Sequence, residues 1–434
     1  MDLITIGYLA SFFVILFMGV PIAYCMLLIG FFGMVHAIGF FPSIASTKAL
    51  LFYSISNWLF VCVPLFILMG LFASLSGVVE DIFKYFNIWF RKLAGALALV
   101  TIATAAMFAF ATGSSAASTA VLGNITLSQM DKYKYSRNLS LGSIVAGGSL
   151  GNLIPPSIGL VVYSIITEQP IGHVLIAAIL PGLLVVAFFM MTVMLRVKLD
   201  PTLAPKITEV AVRYSWWAGI KKVGGLLTII ILVLGSIFFG VATPTEAASV
   251  GAFGSFLIVI LRRKFSWMEF WKALDDTMRT TGMLFLIIIG VSLFSRYLTL
   301  SGFSRTLANF VVASSVLSPP IVLTLMILIL TICGCIMDPG SMLLIFTPIF
   351  FPIIVKLGYD PIWFGVFMVA MVEIGFMTPP VGLCLFVLQG VSDASMEEIV
   401  RSVLPFFGGW YACILLICIF PDIALFLPKL MIGG

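Results

Sequence analysis

Segments such as Leu226–Phe239 run without a charged side chain, and segments of this kind recur along the whole sequence. A helical membrane span needs about 20 mostly apolar residues, so a chain of 434 has room for about a dozen. A lipid-facing β-barrel would alternate apolar and polar residues instead. Composition points the same way: 62% of residues are hydrophobic and 9% charged, against about 45–50% and about 25% in a soluble domain. These values exclude a water-exposed globule, a disordered chain and a nucleic-acid-binding module. The expected fold is an all-α polytopic membrane protein with about 10–12 transmembrane helices, embedded in a lipid bilayer. The stretch Met1–Val20 lacks a basic leader and a small-residue cleavage motif, so it reads as a retained first span.

Little points to covalent or metal chemistry. Cys25, Cys62, Cys333, Cys335, Cys384, Cys413 and Cys418 lie in or beside apolar runs and read as small hydrophobes. Cys333 and Cys335 lack zinc spacing, and His36 and His173 are the only histidines. There is no P-loop for a nucleoside triphosphate. No catalytic residues and no organic cofactor are expected, and the chain does not read as an enzyme.

The net charge is +5, and its distribution suggests a topology. Basic residues cluster at Arg91-Lys92, at Lys132, Lys134 and Arg137, from Arg196 to Lys222, and at Arg262-Arg263-Lys264. The positive-inside rule puts all four in the cytoplasm. Two spans, Leu139–Thr167 and His173–Leu195, fit between Arg137 and Arg196, and two more, Val223–Val241 and Glu246–Leu261, between Lys222 and Arg262. Between Lys92 and Lys132 lies an apolar stretch broken by Thr112-Gly113-Ser114-Ser115-Ala116-Ala117-Ser118-Thr119. Charges alone do not decide between two full spans and a re-entrant hairpin with its tip at mid-membrane. A polar tip at depth requires burial or a cavity.

The sequence also repeats itself. Gly151-Asn152-Leu153-Ile154-Pro155-Pro156 is echoed 224 residues later by Gly375-Phe376-Met377-Thr378-Pro379-Pro380. The same offset carries Ser114 onto Asp338, inside a second break that runs from Cys333 to Ser341. Ser76-Gly77 resembles Ser301-Gly302. Each half therefore reads as a span, a Ser-Gly turn, an amphipathic arm, a broken hairpin and an interrupted Pro-Pro helix. In the first arm Val79, Ile82, Phe83, Phe86 and Phe90 share one face; the second arm covers Phe303–Val312. One span, Thr281–Leu300, leads outward from the cytoplasmic residues Arg262–Lys272, so the second half enters its hairpin from the other side. Inverted halves with matching interrupted helices point to a secondary transporter and its binding site.

A helix broken at mid-membrane offers free carbonyls to a cation and free N–H groups to an anion. One candidate cation site combines Gly113, Ser114 and Ser115 with Gly147 and Gly151. The second combines Gly334 and Asp338 with Gly375 and Thr378. Their hydroxyl, carboxylate and carbonyl oxygens suit Na⁺, although a hydroxyl-rich tip also serves as helix-packing glue. Candidate substrate contacts are Ser115, Ser118, Asn152, Arg296, Asp338 and Ser341. Ionisable groups inside apolar segments are functional candidates by default. For Asp338 and Glu373 the alternative is a fixed charge or helix cap, and for Arg296 it is snorkelling to the interface. Glu246, after Thr243-Pro244-Thr245, reads as a helix-start carboxylate.

Gly147–Ser157 with Leu153-Ile154-Pro155-Pro156-Ser157, the Ala242–Ala247 turn, the Gly113-Ser114-Ser115 tip, and Asp338 followed by Thr347-Pro348 and Pro352 together resemble the large membrane subunit of TRAP (tripartite ATP-independent periplasmic) transporters. The resemblance covers nearly the whole chain. It implies a multi-pass protein of the bacterial inner membrane that takes up an organic anion, such as a C4-dicarboxylate or sialic acid, by Na⁺ symport. It also implies two partners: a small four-helix membrane subunit as a separate chain and a periplasmic substrate-binding protein. The implied fold is of the elevator type, with two re-entrant hairpins in two inverted repeats. Scaffold helices would lie at 1–78 and 196–302, arms at 79–92 and 303–317, and the two halves of a transport domain at 93–195 and 318–434. The ion sites carry over to the tip and break residues named above. A proton-coupled symporter or a passive anion channel of the same topology is the competing reading.

Overall fold

The computed structural model describes residues 3–205, 216–313 and 318–431. Parts of the stretch Arg196–Lys222, expected in the cytoplasm, and of the expected arm 303–317 lie outside these, as do the first two and last three residues. Among the described residues the chain is helical throughout, with no strand. The first half opens with α1 (Leu3–Phe17), α2 (Ile22–Ile38), α3 (Phe40–Ser56) and α4 (Cys62–Leu75), followed by the arm α5 (Val78–Phe90). A hairpin follows, α6 (Ala96–Thr112) and α7 (Ser115–Lys132), and then the interrupted pair α8 (Arg137–Gly148) and α9 (Ile158–Ile166). Helices α10 (Ile171–Ala177) and α11 (Ile179–Leu199) close this half. The second half has α12 (Trp216–Phe238), α13 (Pro244–Leu261) and α14 (Trp267–Leu300), then the arm α15 (Phe303–Ala313). Its hairpin is α16 (Pro319–Ile336) and α17 (Pro339–Lys356), its interrupted pair is α18 (Pro361–Met377) and α19 (Leu383–Val391), and α20 (Met396–Ile419) and α21 (Asp422–Lys429) end it. Seven helical segments in the described residues are long and apolar enough to cross a membrane, among them Trp58–Leu75, Trp267–Leu300 and Met396–Ile419.

The repeat read from sequence is matched in detail. Before each arm a glycine takes a left-handed conformation, Gly77 at φ +66° and Gly302 at φ +69°. The serine ahead of each glycine holds the first amide of the arm: Ser76 Oγ accepts from the Val78 amide at 3.3 Å, and Ser301 Oγ from the Phe303 amide at 3.4 Å. The first arm buries Val78, Val79, Ile82 and Phe83. It is tied to the end of α13 by Asp81, whose carboxylate meets Arg262 at 2.8 Å. The second arm meets α17 instead, through Lys356 donating to Asn309.

Two tightly packed groups emerge. In one, α2 lies against α14 through small residues that allow the backbones to approach closely. A Cβ on Gly30 would come within 2.7 Å of the Leu293 backbone, and one on Gly290 within 2.8 Å of the Ala23 carbonyl oxygen. Phe12 stacks on Phe294 at 5.2 Å in the same layer, and α4 packs on α13. The start of α13 is a capping box: Thr243 caps it and Glu246 Oε2 accepts from the Thr243 amide at 2.8 Å. The second group interleaves the hairpins and interrupted helices of both halves, with α20 on α8, α19 on α7 and α18 on α9. Buried polar pins cross between the halves there. Trp410 Nε1 donates to Ser149 Oγ at 3.1 Å, and the Tyr163 hydroxyl to the Pro361 carbonyl at 2.6 Å.

Three boundaries differ from the sequence reading. The hairpin tips are short, Gly113-Ser114 and Met337-Asp338, because Ser114 and Asp338 cap the following helices and let them start at once. The segment Leu139–Thr167 is not one span but two short helices around a non-helical stretch. The outward span Thr281–Leu300 is the second part of one 34-residue helix, α14, whose first turns carry Glu269, Lys272, Asp275, Asp276 and Arg279.

Candidate functional site

The two tips and the two breaks meet. Gly113 turns at φ +57°, and a Cβ there would collide with the Pro156 carbonyl oxygen. A Cβ on Gly151 would lie 2.6 Å from the Ser114 carbonyl group. The first tip is thus pressed backbone to backbone onto the first break, which only glycine permits. In the second half, a Cβ on Gly334 would lie 3.1 Å from the Gly375 Cα. Each tip is capped alike: Ser114 Oγ accepts from the Ala117 amide at 3.4 Å and Asp338 Oδ2 from the Ser341 amide at 2.7 Å. Asp338 Oδ2 also accepts from Ser341 Oγ at 2.7 Å.

Between the tips lies a cavity of about 750 Å³. Gly113, Ser114, Ser115 and Asn152 line it from the first half, and Asp338, Gly340 and Ser341 from the second. Apolar residues of α2 and α14, including Ile22, Leu286 and Ile287, form its opposite wall. Among the described residues lining it there is no Lys, Arg or His. The N-terminal ends of α7 and α17 face the region where the tips meet, the first capped by the Ser114 hydroxyl and the second by the Asp338 carboxylate.

Most of the residues expected at the site come together here: Gly113, Ser114, Ser115, Gly151, Asn152, Gly334, Asp338, Ser341 and Gly375. Thr378 caps the C-terminal end of α18, with its hydroxyl turned back to the Ile374 carbonyl at 2.6 Å. Three residues sit elsewhere. Gly147 packs α8 onto α6, with the Ala105 Cβ 2.8 Å from the place its own would take. Ser118 is fully buried one turn inside α7, its hydroxyl sharing a hydrogen bond with Thr112 Oγ1 at 3.0 Å, so it does not line the cavity. Arg296 lines a separate cavity of about 560 Å³ with Asn57, Glu168, Ser295 and Thr299. It lies nine residues beyond Ile287 on α14, a rise of roughly 14 Å, which keeps it out of the cavity that holds Asp338.

Glu373 lies behind the first tip, outside the cavity lining. It is fully buried, and its Oε2 accepts from Ser115 Oγ at 2.8 Å. Ser115 Oγ in turn accepts from the Asn152 amide at 3.0 Å. A carboxylate in an apolar helix is the sequence signal for such a group; the partner 258 residues away is not visible in sequence.

Two halves with the same order of helices, folded around a shared cavity and carrying helices of membrane length, define a polytopic all-α membrane protein. The fold is shared with the YdaH transporter of Alcanivorax borkumensis, with TM-score 0.63, 15% identity, and 88% of this chain and 90% of that one covered. Neisseria gonorrhoeae MtrF aligns with TM-score 0.62 and 14% identity over 89% and 85% of the two chains. Residues 9–423 match the family described as the tripartite ATP-independent periplasmic transporter, DctM component, and the chain belongs to that family. The C4-dicarboxylate TRAP transporter large permease protein DctM of Pseudomonas aeruginosa is 34% identical, covering 89% of this chain and 90% of the relative. The sialic acid large permease SiaM of Vibrio cholerae is 28% identical over 99% of both. The isethionate TRAP transporter permease protein DctMQ of Oleidesulfovibrio alaskensis is 32% identical over 97% of this chain and 65% of the relative. These relatives are transporter permeases and not enzymes.

Proposed function

We propose that this chain carries an organic anion inward across the bacterial inner membrane, driven by Na⁺, with the anion delivered by a periplasmic binding protein. The observation that carries this reading is the contact of each hairpin tip with the break of its own half, around one cavity. Each contact gathers hydroxyl, carboxylate or main-chain oxygens at a point where glycines let the backbone come close. Such hard oxygen donors fit Na⁺. Gly113, Ser114, Ser115 and Gly151 would hold one ion; Gly334, Asp338, Gly375 and Thr378 would hold the other. The bound cations and the two helix N-termini would balance the charge of an anion lying against Ser115, Asn152 and Ser341. Relatives named for C4-dicarboxylates, sialic acid and isethionate favour a carboxylate or sulfonate as cargo.

In this reading the hairpins are re-entrant, and the interleaved helices of 93–195 and 318–434 move as one body past the group built on α2, α4, α13 and α14. The arms α5 and α15 join the two bodies. A small membrane subunit acts as a separate partner chain. The test is uptake into proteoliposomes with both partners present. An inward Na⁺ gradient should drive accumulation with more than one ion per substrate. Undiminished uptake in K⁺ buffer under a proton gradient would assign the coupling to protons, and absence of counterflow would assign a channel.

A further inference from the structure

The last turns of α18 stand between the two candidate ion sites. Glu373 and Gly375 are two residues apart, about 200° around the helix. From one side Glu373 reaches Ser115 at the start of α7; from the other Gly375 meets Gly334 of the second hairpin. Through Ser115 Oγ the connection continues to the Asn152 amide in the first break. A single helical turn of the second half thus holds both the tip and the break of the first. At the corresponding place in the first half, 224 residues earlier, Ser149 is fully buried and accepts from Trp410, so it makes no reciprocal link to the second tip. Glu373 is fully buried, with Ser115 Oγ donating to its Oε2 and the Asn152 side chain beside it. Burying a carboxyl group is costly, and packing alone would be served by an apolar residue. We infer that Glu373 is a positioning residue that couples the two cation sites, transmitting order at Gly334 and Gly375 to Ser115 and Asn152.

The inference rests on the Na⁺ reading above: closing the second site fixes the end of α18, which places Ser115 for the first ion. Binding at the two sites is then cooperative. The experiment is a Na⁺ titration of the purified full-length membrane complex, with K⁺ replacing Na⁺ at constant ionic strength, following the melting temperature. Initial uptake rates in proteoliposomes give a second readout. The wild-type response should be steep, with a Hill coefficient of about 1.5 or more. Glu373→Leu should bring the coefficient to about 1 and raise the Na⁺ midpoint by about tenfold or more. Glu373→Gln keeps an acceptor for Ser115 and should keep the steepness. A merely structural role would lower the melting temperature in K⁺ without altering the Hill coefficient. If Glu373→Leu does not fold, Glu373→Met removes the same acceptor while filling the space with a flexible side chain, and should also flatten the response. The coupling is overturned if the folded variant keeps the wild-type steepness and midpoint, or if Glu373→Gln loses steepness as fully as Glu373→Leu, since charge rather than the link would then matter. A wild-type complex indifferent to Na⁺ overturns the Na⁺ reading itself and the coupling with it, a result distinct from failure of the variants alone.

Discussion

Ser114 and Asp338, 224 residues apart, hold the same position in the two halves: each is the last residue of a hairpin tip and the N-cap of the helix that follows. One is a neutral hydroxyl and the other a carboxylate, so the two sites are alike in shape and unlike in charge. Removing the Asp338 side chain should therefore do two separable things. Asp338→Ala loses a helix cap, costing about 1 kcal/mol, and also loses the acidic oxygen. Asp338→Asn restores the cap. We expect the melting temperature in K⁺ to fall only in Asp338→Ala, and uptake to fall at least tenfold in both.

The glycine contacts rank the effects of adding a methyl group. A Cβ at Gly151 would meet the Ser114 carbonyl group at 2.6 Å, whereas one at Gly334 would meet the Gly375 Cα at 3.1 Å. The first demands that backbone moves; the second asks for a few tenths of an ångström. Gly151→Ala should abolish Na⁺-dependent uptake while the protein still inserts, and Gly334→Ala should raise the Na⁺ midpoint several-fold with uptake retained. The reverse order of severity would contradict this assignment of the contacts.

Opposite hairpin orientation is tested by labelling. Ser128, near the end of α7, and Ser318, ahead of α16, are both exposed. In a background with the seven native cysteines replaced, a cysteine at Ser128 should react with an impermeant maleimide from the cytoplasm and one at Ser318 from the periplasm. Labelling of both from one face would remove the inverted arrangement.

Rigid-body movement makes a further prediction. Ile287 of α14 and Val162 of α9 both line the central cavity, on opposite sides of the boundary between the two helix groups. A short cross-linker joining cysteines at these positions should stop uptake while leaving the Na⁺-dependent rise in melting temperature intact. Full transport after complete cross-linking would favour local gating at the tips.

The pair Asp81–Arg262 anchors the first arm to the end of α13, with both side chains about one-fifth exposed. If the arm is the joint between bodies, Asp81→Arg should slow transport, and the charge swap with Arg262→Asp should recover part of it. Each single change should cost little stability, since partly exposed pairs are worth about 1 kcal/mol or less. Initial rates for the four proteins, read as a double-mutant cycle, check this.

Much of this architecture is local information. Apolar runs of membrane length, Ser-Gly turns ahead of both arms, Pro-Pro breaks and the 224-residue offset are all written in short stretches of chain. Backbone chemistry acts over a few residues, so helix, break, cap and repeat follow from them; the Thr243–Glu246 capping box is one such case. Arg296 and Ser118 show where that ends. Both have plausible chemistry in sequence, yet nine residues along α14 put Arg296 in another cavity, and one turn into α7 buries Ser118 against Thr112. Only the packing of the two halves brought Glu373 to Ser115. Such contacts depend on how helices distant in sequence cross, and that is set by the summed fit of many side chains and glycine surfaces, which no short segment encodes.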